Sequence, residues 1–217
     1  MSTTTDATTF VFLGDSITDA GRTEGRGDVD GRLLGDGYVW ALAGLLRARR
    51  PERDLRIVNA GVGGSTSEQM LDRLPGDLAG AGSETWVTIL IGINDCNAHL
   101  RDGHASLGPE AYEANLRKAV GLAGAQAAGV TVLDPFLIAT EATVTPEFRP
   151  SLEHVAAYVR ASGAVARDAG AVHVPTHEVF AAQLAHRSPG ELGLEAVHPS
   201  PTGHLVLANA WLGAMGL

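Results

Sequence analysis

The chain has 217 residues, of which 45% are hydrophobic and 19% charged, and its 16 basic and 25 acidic residues give a net charge of −9. This length and composition exclude intrinsic disorder and predict a single domain, residues 1–217, whose core can be held by packing alone. The acidic balance argues against a nucleic acid or an anionic membrane as the main partner, and the one cysteine, Cys96, excludes a disulfide framework or a multi-cysteine metal site.

The first residues of the chain, 1–9, are polar and lack the basic and apolar regions of a secretory signal peptide. No apolar run reaches the roughly eighteen residues that a membrane-spanning helix needs. We therefore expect a cytoplasmic protein.

Short apolar runs alternate with longer helical patterns along the chain. The predicted strands are residues 10–13, 55–59, 85–91, 130–133 and 171–174. The predicted helices are residues 38–50, 67–78, 109–128, 151–168 and 202–212, and residues 139–149 are predicted to form a loop. Strands separated by helices form a parallel sheet covered on both faces. The sequence therefore predicts an α/β fold, a five-stranded parallel sheet in a three-layer αβα sandwich, with ligands bound beyond the carboxyl ends of the strands.

A serine, Ser16, follows the first predicted strand in the segment GDSIT. At this position the hydroxyl can point into a cleft, although a serine after a strand more often caps a helix or closes a turn. The nucleophile elbow Gly-x-Ser-x-Gly occurs nowhere in the chain, which argues against that type of α/β-hydrolase.

A glycine-rich turn, NAGVGGST over residues 59–66, follows the second strand. Its backbone N–H groups at the start of a helix form an anion site. That site would hold either a dinucleotide pyrophosphate or the oxyanion formed during acyl transfer. The dinucleotide fingerprint is incomplete, because Thr66 replaces its third glycine and no acidic residue ends the next strand.

The third strand is followed by Gly92-Ile93-Asn94-Asp95. Asn94 is either a turn former or a neutral side-chain donor to an oxyanion, and its residue type alone favours the turn. We interpret Asp95, and Asp15 beside the serine, as residues that hold their turns.

The segment LEAVHPS places Glu195 three residues before His198. A carboxylate at this spacing can fold back and orient the imidazole, which supplies the base and its orienting acid in a catalytic triad. The other histidines lack this setting: His99 and His104 are predicted to lie in a polar loop, and His204 falls on a helical pattern.

Taken in chain order, the segments FVFLGDSITDAG, NAGVGGST, ILIGINDC and EAVHPSPTGH resemble the sequence blocks of the SGNH hydrolases, also called the GDSL esterase/lipase family. The resemblance covers nearly the whole chain, and the order of the blocks at the strand ends makes it specific. It implies a flavodoxin-like αβα sandwich and a serine esterase that uses no metal and no cofactor.

The resemblance also implies a role for each matching residue. Ser16 corresponds to the nucleophile, and its own N–H is the first oxyanion donor. Gly64 supplies the second donor through its N–H, and Asn94 supplies the third through its side chain. His198 corresponds to the general base. Glu195 stands where the family usually has aspartate, and in some relatives a backbone carbonyl orients the histidine instead.

Within the family, GDSITDAGR and LGDGYV resemble bacterial acylhydrolases that include carbohydrate acetylesterases. This likeness implies a small-molecule substrate, an acetyl ester of a sugar or another polar alcohol, with Tyr38 lining the site. The low aromatic content, 5%, argues against a lipase that buries a long acyl chain.

Other functions remain open at this point. A flavodoxin-like module could hold a phosphate or flavin at the glycine turn without catalysis, and a degenerate esterase fold could serve as a binding subunit. Within enzymes, a thioesterase, a lysophospholipase or an acyltransferase would use the same residues. The oligomeric state is not predicted.

Overall fold

The computed structural model describes residues 6–22 and 33–217. Residues 1–5 of the polar N-terminal segment therefore lie outside the described residues. No helix in these two ranges is long and apolar enough to cross a membrane. The cytoplasmic location and the single-domain organisation stay predictions.

The centre of the fold is a five-stranded sheet in which every neighbouring pair of strands is parallel. The strands are β1 (Thr9–Gly14), β2 (Arg56–Gly61), β3 (Thr85–Leu90), β4 (Gly129–Leu133) and β5 (Val172–Val174). Their order is β2-β1-β3-β4-β5, the flavodoxin-like order. This confirms the predicted sheet. In the register, Gly14 lies beside both Gly61 and Leu90, so β1, β2 and β3 end side by side.

Helices cover both faces of the sheet. In chain order they are α1 (Ser16–Asp19), α2 (Tyr38–Arg49), α3 (Ser67–Asp77), α4 (Ile93–Asp102), α5 (Pro109–Gly124), α6 (Arg149–Ala169), α7 (Thr176–Leu184), α8 (Pro189–Leu192) and α9 (Pro201–Met215), with a 3₁₀ turn at Ala105–Leu107. Side chains alternate across β1, so Phe10 and Phe12 join one core while Val11 and Leu13 join the other. Helices α2, α7 and α9 pack on the first core, and α3 and α5 on the second.

Helix α4 was not predicted, and the prediction that His99 lies in a polar loop is wrong because His99 belongs to this helix. Its sequence, INDCNAHLRD, is mostly polar, and its fully buried apolar side chains are confined to Ile93 and Cys96 in the first turn. Because this apolar stripe is so narrow, the sequence has little helical periodicity from which α4 could be predicted. His104 precedes the 3₁₀ turn as predicted for a loop, and His204 lies in α9.

Candidate active site

Ser16 is the first residue of α1, immediately past the end of β1. Asp15 caps this short helix through its Oδ1, which accepts a hydrogen bond from the Ile17 N–H at 2.9 Å. The turn is tight, because a Cβ on Gly14 would lie 2.2 Å from Thr18 Oγ1 and 2.5 Å from the Leu90 carbonyl oxygen. A glycine at this position therefore lets the strand turn sharply and carries the serine to the edge of the sheet.

His198 lies on a loop between α8 and α9 that its own backbone bonds hold closed. Leu194 donates its N–H to the His198 carbonyl at 2.9 Å, and Gly193 forms an antiparallel bridge with Pro199. Ser200 then caps α9. The closed loop brings His198 Nε2 to 2.8 Å from Ser16 Oγ.

Glu195 belongs to the same loop and contacts His198 at two places. Its Oε1 accepts the His198 backbone N–H at 2.8 Å and also hydrogen-bonds to Nδ1 of the ring. Its Oε2 accepts the Val197 N–H at 2.7 Å. Because a carboxylate faces Nδ1, the ring proton belongs on Nδ1, and Nε2 is left as the acceptor for the Ser16 hydroxyl. The side chain of glutamate, longer by one methylene than that of aspartate, is accommodated by folding back onto two backbone N–H groups.

The predicted oxyanion donors Ser16, Gly64 and Asn94 follow the carboxyl ends of β1, β2 and β3, respectively. Gly64 adopts a φ of +77° and is exposed. Its N–H and that of Ser16 have no acceptor among the residues that the structure describes. The Asn94 side chain donates one N–H to the Ser65 carbonyl at 3.0 Å, which ties the amide to the residue after Gly64 and leaves its second N–H to donate elsewhere.

Two buried carboxylates stand beside these groups. Asp95 accepts the Ser67 backbone N–H at 2.9 Å and so joins the start of α4 to the start of α3. Burial raises the pKa of Asp95, while its bonds to Ser67 act against that rise. Burial also raises the pKa of Asp15 to about 7, and Asp15 Oδ2 has no hydrogen-bond partner within residues 6–22 and 33–217. Both residues hold their turns, as the sequence indicated.

Two further residues, which the sequence analysis did not single out, support the site. The Asn59 side chain donates to the Thr18 carbonyl at 2.7 Å and to the Leu34 carbonyl at 2.8 Å, so it links α1 to the segment that precedes α2. The Arg73 guanidinium donates to the Gly14 carbonyl at 2.7 Å. A polar residue at the end of a buried strand was the available signal for Asn59, whereas an arginine on an amphipathic helix gives none.

Tyr38 does not lie where the sequence predicted. Its side chain is fully buried, its hydroxyl is 3.0 Å from Thr18 Oγ1, and its ring packs edge-on against Phe12. Burial raises the pKa of this phenol. The prediction that Tyr38 lines the site is therefore corrected: as the first residue of α2 it points into the core and supports α1 from behind.

A cavity of about 420 Å³ opens beside Ser16 and His198. This volume falls in the usual range for small-molecule sites. Apolar groups, two carboxylates and a second imidazole form its wall: Ser16, Ile17, Asp19, Ala20, Gly21, Asp36, Leu194, His198, Pro199, Pro201 and His204. Over the described parts of the chain, no three His, Cys, Asp or Glu side chains are grouped so that they could hold a metal ion.

Known proteins resemble the chain over nearly its whole length. Residues 12–206 match the model of the GDSL-like lipase/acylhydrolase family. The chain is 34% identical over 211 residues to an acetylxylan esterase of Geobacillus stearothermophilus, a match that covers 95% of this chain and 93% of that one.

Solved structures also resemble the chain over nearly its whole length. A structure of the Geobacillus stearothermophilus acetylxylan esterase superimposes with a TM-score of 0.82 at 32% identity, covering 96% of this chain and 94% of that one. An α/β hydrolase from the metagenome of Lake Arreo in Spain superimposes with a TM-score of 0.84 at 32% identity, covering 99% and 98%. The chain thus belongs to the GDSL-like lipase/acylhydrolase family, and it is a carboxylic ester hydrolase.

Proposed function

We propose that the protein removes acetyl groups from carbohydrates through an acyl-enzyme formed on Ser16. The observation that carries this proposal is the continuous chain of hydrogen bonds from Ser16 Oγ through the imidazole of His198 to the Glu195 carboxylate. A hydroxyl, a base and an orienting acid in this arrangement are what nucleophilic catalysis on an ester needs.

In the first step His198 Nε2 takes the hydroxyl proton of Ser16 while Oγ attacks the ester carbonyl. The Glu195 carboxylate stabilises the imidazolium that forms and keeps the ring in place. The backbone N–H groups of Val197 and His198 hold that carboxylate, so it is fixed before the substrate arrives. We assign the orienting role to this side chain and not to a backbone carbonyl.

The tetrahedral intermediate carries its negative charge on the former carbonyl oxygen. We assign the stabilisation of this charge to the N–H groups of Ser16 and Gly64 and to the Asn94 side chain. Removal of one donor from a comparable site costs about 2.7–4 kcal/mol. The Ser65 carbonyl holds the Asn94 amide in position, so little reorganisation is needed during the reaction.

The imidazolium then protonates the oxygen of the departing alcohol. A water molecule enters, His198 takes its proton, and the water oxygen attacks the acyl carbon. Collapse of the second intermediate releases acetic acid, which loses its proton to the solvent, and His198 returns its proton to Ser16, so the enzyme ends the cycle unchanged.

Two observations support an acetylated carbohydrate as the substrate. The relative from Geobacillus stearothermophilus is an acetylxylan esterase, and alanine replacements of a serine, an aspartate and a histidine in it are catalytic mutants. In this chain the cavity beside Ser16 includes the carboxylates of Asp19 and Asp36, which can accept hydrogen bonds from the hydroxyls of a sugar.

The first test is the change Ser16→Ala. Release of p-nitrophenol from p-nitrophenyl acetate should fall by at least about 10³-fold, because the remaining groups cannot form the acyl-enzyme. Ser83→Ala, which alters an exposed loop serine, is the matched control and should keep full activity. Turnover in a folded Ser16→Ala protein would contradict the proposal.

A series of p-nitrophenyl esters of increasing acyl length, run beside acetylated xylosides, tests the substrate class. We expect kcat/KM to be greatest for acetyl esters and to fall with acyl length. A maximum at long chains would favour a lysophospholipase, preference for thioesters a thioesterase, and acetyl transfer to added sugar an acyltransferase.

A further inference from the structure

A second histidine of the cavity wall, His204, has no part in the mechanism above. It lies in the first turns of α9, six residues after His198, and its ring stacks on Tyr38 with an interplanar angle of 17°. The ring is held in a single orientation by that contact and by the Tyr38 backbone N–H, which donates to its Nδ1 at 3.2 Å.

This hydrogen bond determines where the proton of the ring lies. Because Nδ1 accepts a hydrogen bond, it carries a lone pair, and the neutral ring has its N–H at Nε2. Protonation would place a second hydrogen on Nδ1, facing the Tyr38 N–H. Burial lowers the pKa of His204 to about 4, with repulsion from His198 as a further cause, and the N-terminal end of α9 also disfavours a positive charge. His204 is therefore a neutral donor.

Nε2 is free to use this hydrogen. It has no hydrogen-bond partner among the described residues, and it is not one of the fully buried polar atoms that lack a partner. The atom is therefore not fully buried, and His204 borders the cavity beside Ser16.

The position of the cavity indicates which part of an ester enters it. Its wall includes His198 but neither Gly64 nor Asn94. The carbonyl oxygen of the ester must point to those donors, whereas the departing oxygen must lie within reach of His198 Nε2. The cavity on the histidine side of Ser16 is therefore suited to the alcohol half of the substrate.

We propose that His204 is a positioning residue that donates its Nε2 hydrogen to an oxygen of the departing sugar. Asp19 and Asp36 border the same cavity and accept hydrogen bonds, so the wall offers both a donor and acceptors. An alcohol with hydroxyl and ether oxygens satisfies both kinds of group, and a plain hydrocarbon alcohol satisfies neither. This inference rests on the proposed function and adds to it the group that selects a sugar.

Two amide substitutions of His204 test the roles of Nδ1 and Nε2 separately. In His204→Asn the short side chain can still accept the Tyr38 N–H near the position of Nδ1, but it cannot reach the position of Nε2. In His204→Gln the amide nitrogen can reach the position of Nε2, but the acceptor for Tyr38 is lost. The substrates are a monoacetylated methyl xyloside and cyclohexyl acetate, whose six-membered ring bears no oxygen besides the ester.

The measured quantity is the ratio of kcat/KM for the xyloside ester to that for cyclohexyl acetate. We expect His204→Asn to lower this ratio about tenfold, as for loss of one hydrogen bond, and His204→Gln to keep most of it. The thermal midpoints should run in the opposite order, with His204→Asn the more stable variant. An unchanged ratio in His204→Asn, or an equal loss in both variants, would overturn the role of His204.

A binding measurement keeps this test independent of catalysis. Methyl xyloside is titrated into Ser16→Ala protein that also carries His204→Asn or His204→Gln, and the asparagine variant should bind about tenfold more weakly than the glutamine variant. Equal affinities would overturn the inference. If the unsubstituted protein hydrolysed neither ester, the proposed function would fail, and the titration would still decide whether His204 contacts the sugar.

Discussion

Asp15 provides a quantitative test of the electrostatics beside the nucleophile. Its side chain is 1% exposed, its Oδ2 has no partner in the described ranges, and burial raises its pKa from 3.8 to about 7. The folded protein therefore keeps a proton on Asp15 over a pH range in which the unfolded chain has lost it. Under proton linkage, the contribution of Asp15 to the free energy of unfolding is then greatest below pH 4 and falls as the pH rises towards 7.

The size of this effect follows from the shift. A rise of about three pKa units corresponds to about 4 kcal/mol, at 1.36 kcal/mol per unit. Asp15→Asn cannot ionise, and its side-chain oxygen can still accept the Ile17 N–H. Its amide nitrogen would have no acceptor, which adds a constant cost of about 1–3 kcal/mol that does not depend on pH.

Urea unfolding at a series of pH values measures the free energy of unfolding of both proteins. The variant-minus-wild-type difference should become more favourable to the variant by about 4 kcal/mol between pH 4 and pH 7 and stay level above that. Groups common to both proteins cancel in the difference. Asp72→Asn, at an exposed site on α3, is the control and should show no such trend. A difference that does not change with pH would refute the assignment of a buried, protonated Asp15.

Two further predictions concern the acid and the turn beside the nucleophile. Glu195→Gln should lower kcat by up to about 10⁴-fold with little change in KM, because an amide can hold the imidazole in the wrong tautomer. Steady-state kinetics measures both constants. A kcat within threefold of the wild-type value would exclude Glu195 as the orienting acid. Gly14→Ala should destabilise the protein by about 1–3 kcal/mol or more, since its methyl group would meet Thr18 and the Leu90 carbonyl. Gly44→Ala, at an open helical position, should instead stabilise it by about 1 kcal/mol, and thermal unfolding of both variants checks the contrast.

Much of the fold could be predicted because its strands are short apolar runs between helical patterns. Residues directly after β1, β2 and β3 meet at one edge of the sheet, so the sequence could place Ser16, Gly64 and Asn94 near one another. Their roles as nucleophile and oxyanion donors came from the family resemblance, because the residue types alone favoured a cap or a turn for Ser16 and Asn94. Boundaries were less accurate: α5 ends at Gly124, four residues before its predicted end, and β4 already begins at Gly129.

Other features depend on contacts that the order of residues does not reveal. Tyr38 begins a helix, and the face on which its side chain lies is decided by how α2 packs against β1 and α1. The fit of Glu195 depends on two backbone N–H groups that become available only when the loop closes. The tautomer and the orientation of the His204 ring depend on the backbone N–H of Tyr38, which lies 166 residues earlier in the chain.

The bond between Ser16 and His198 joins residues 182 positions apart. Glu195 and His198, by contrast, lie in one loop that backbone hydrogen bonds close. Within this hydrogen-bonded chain of three residues, the contact between Ser16 and His198 is the one that joins distant parts of the sequence. Under the proposed mechanism, a growing chain on the ribosome cannot attack an ester until His198 has been made and has folded against Ser16, so the onset of turnover during synthesis would report the completion of the native state.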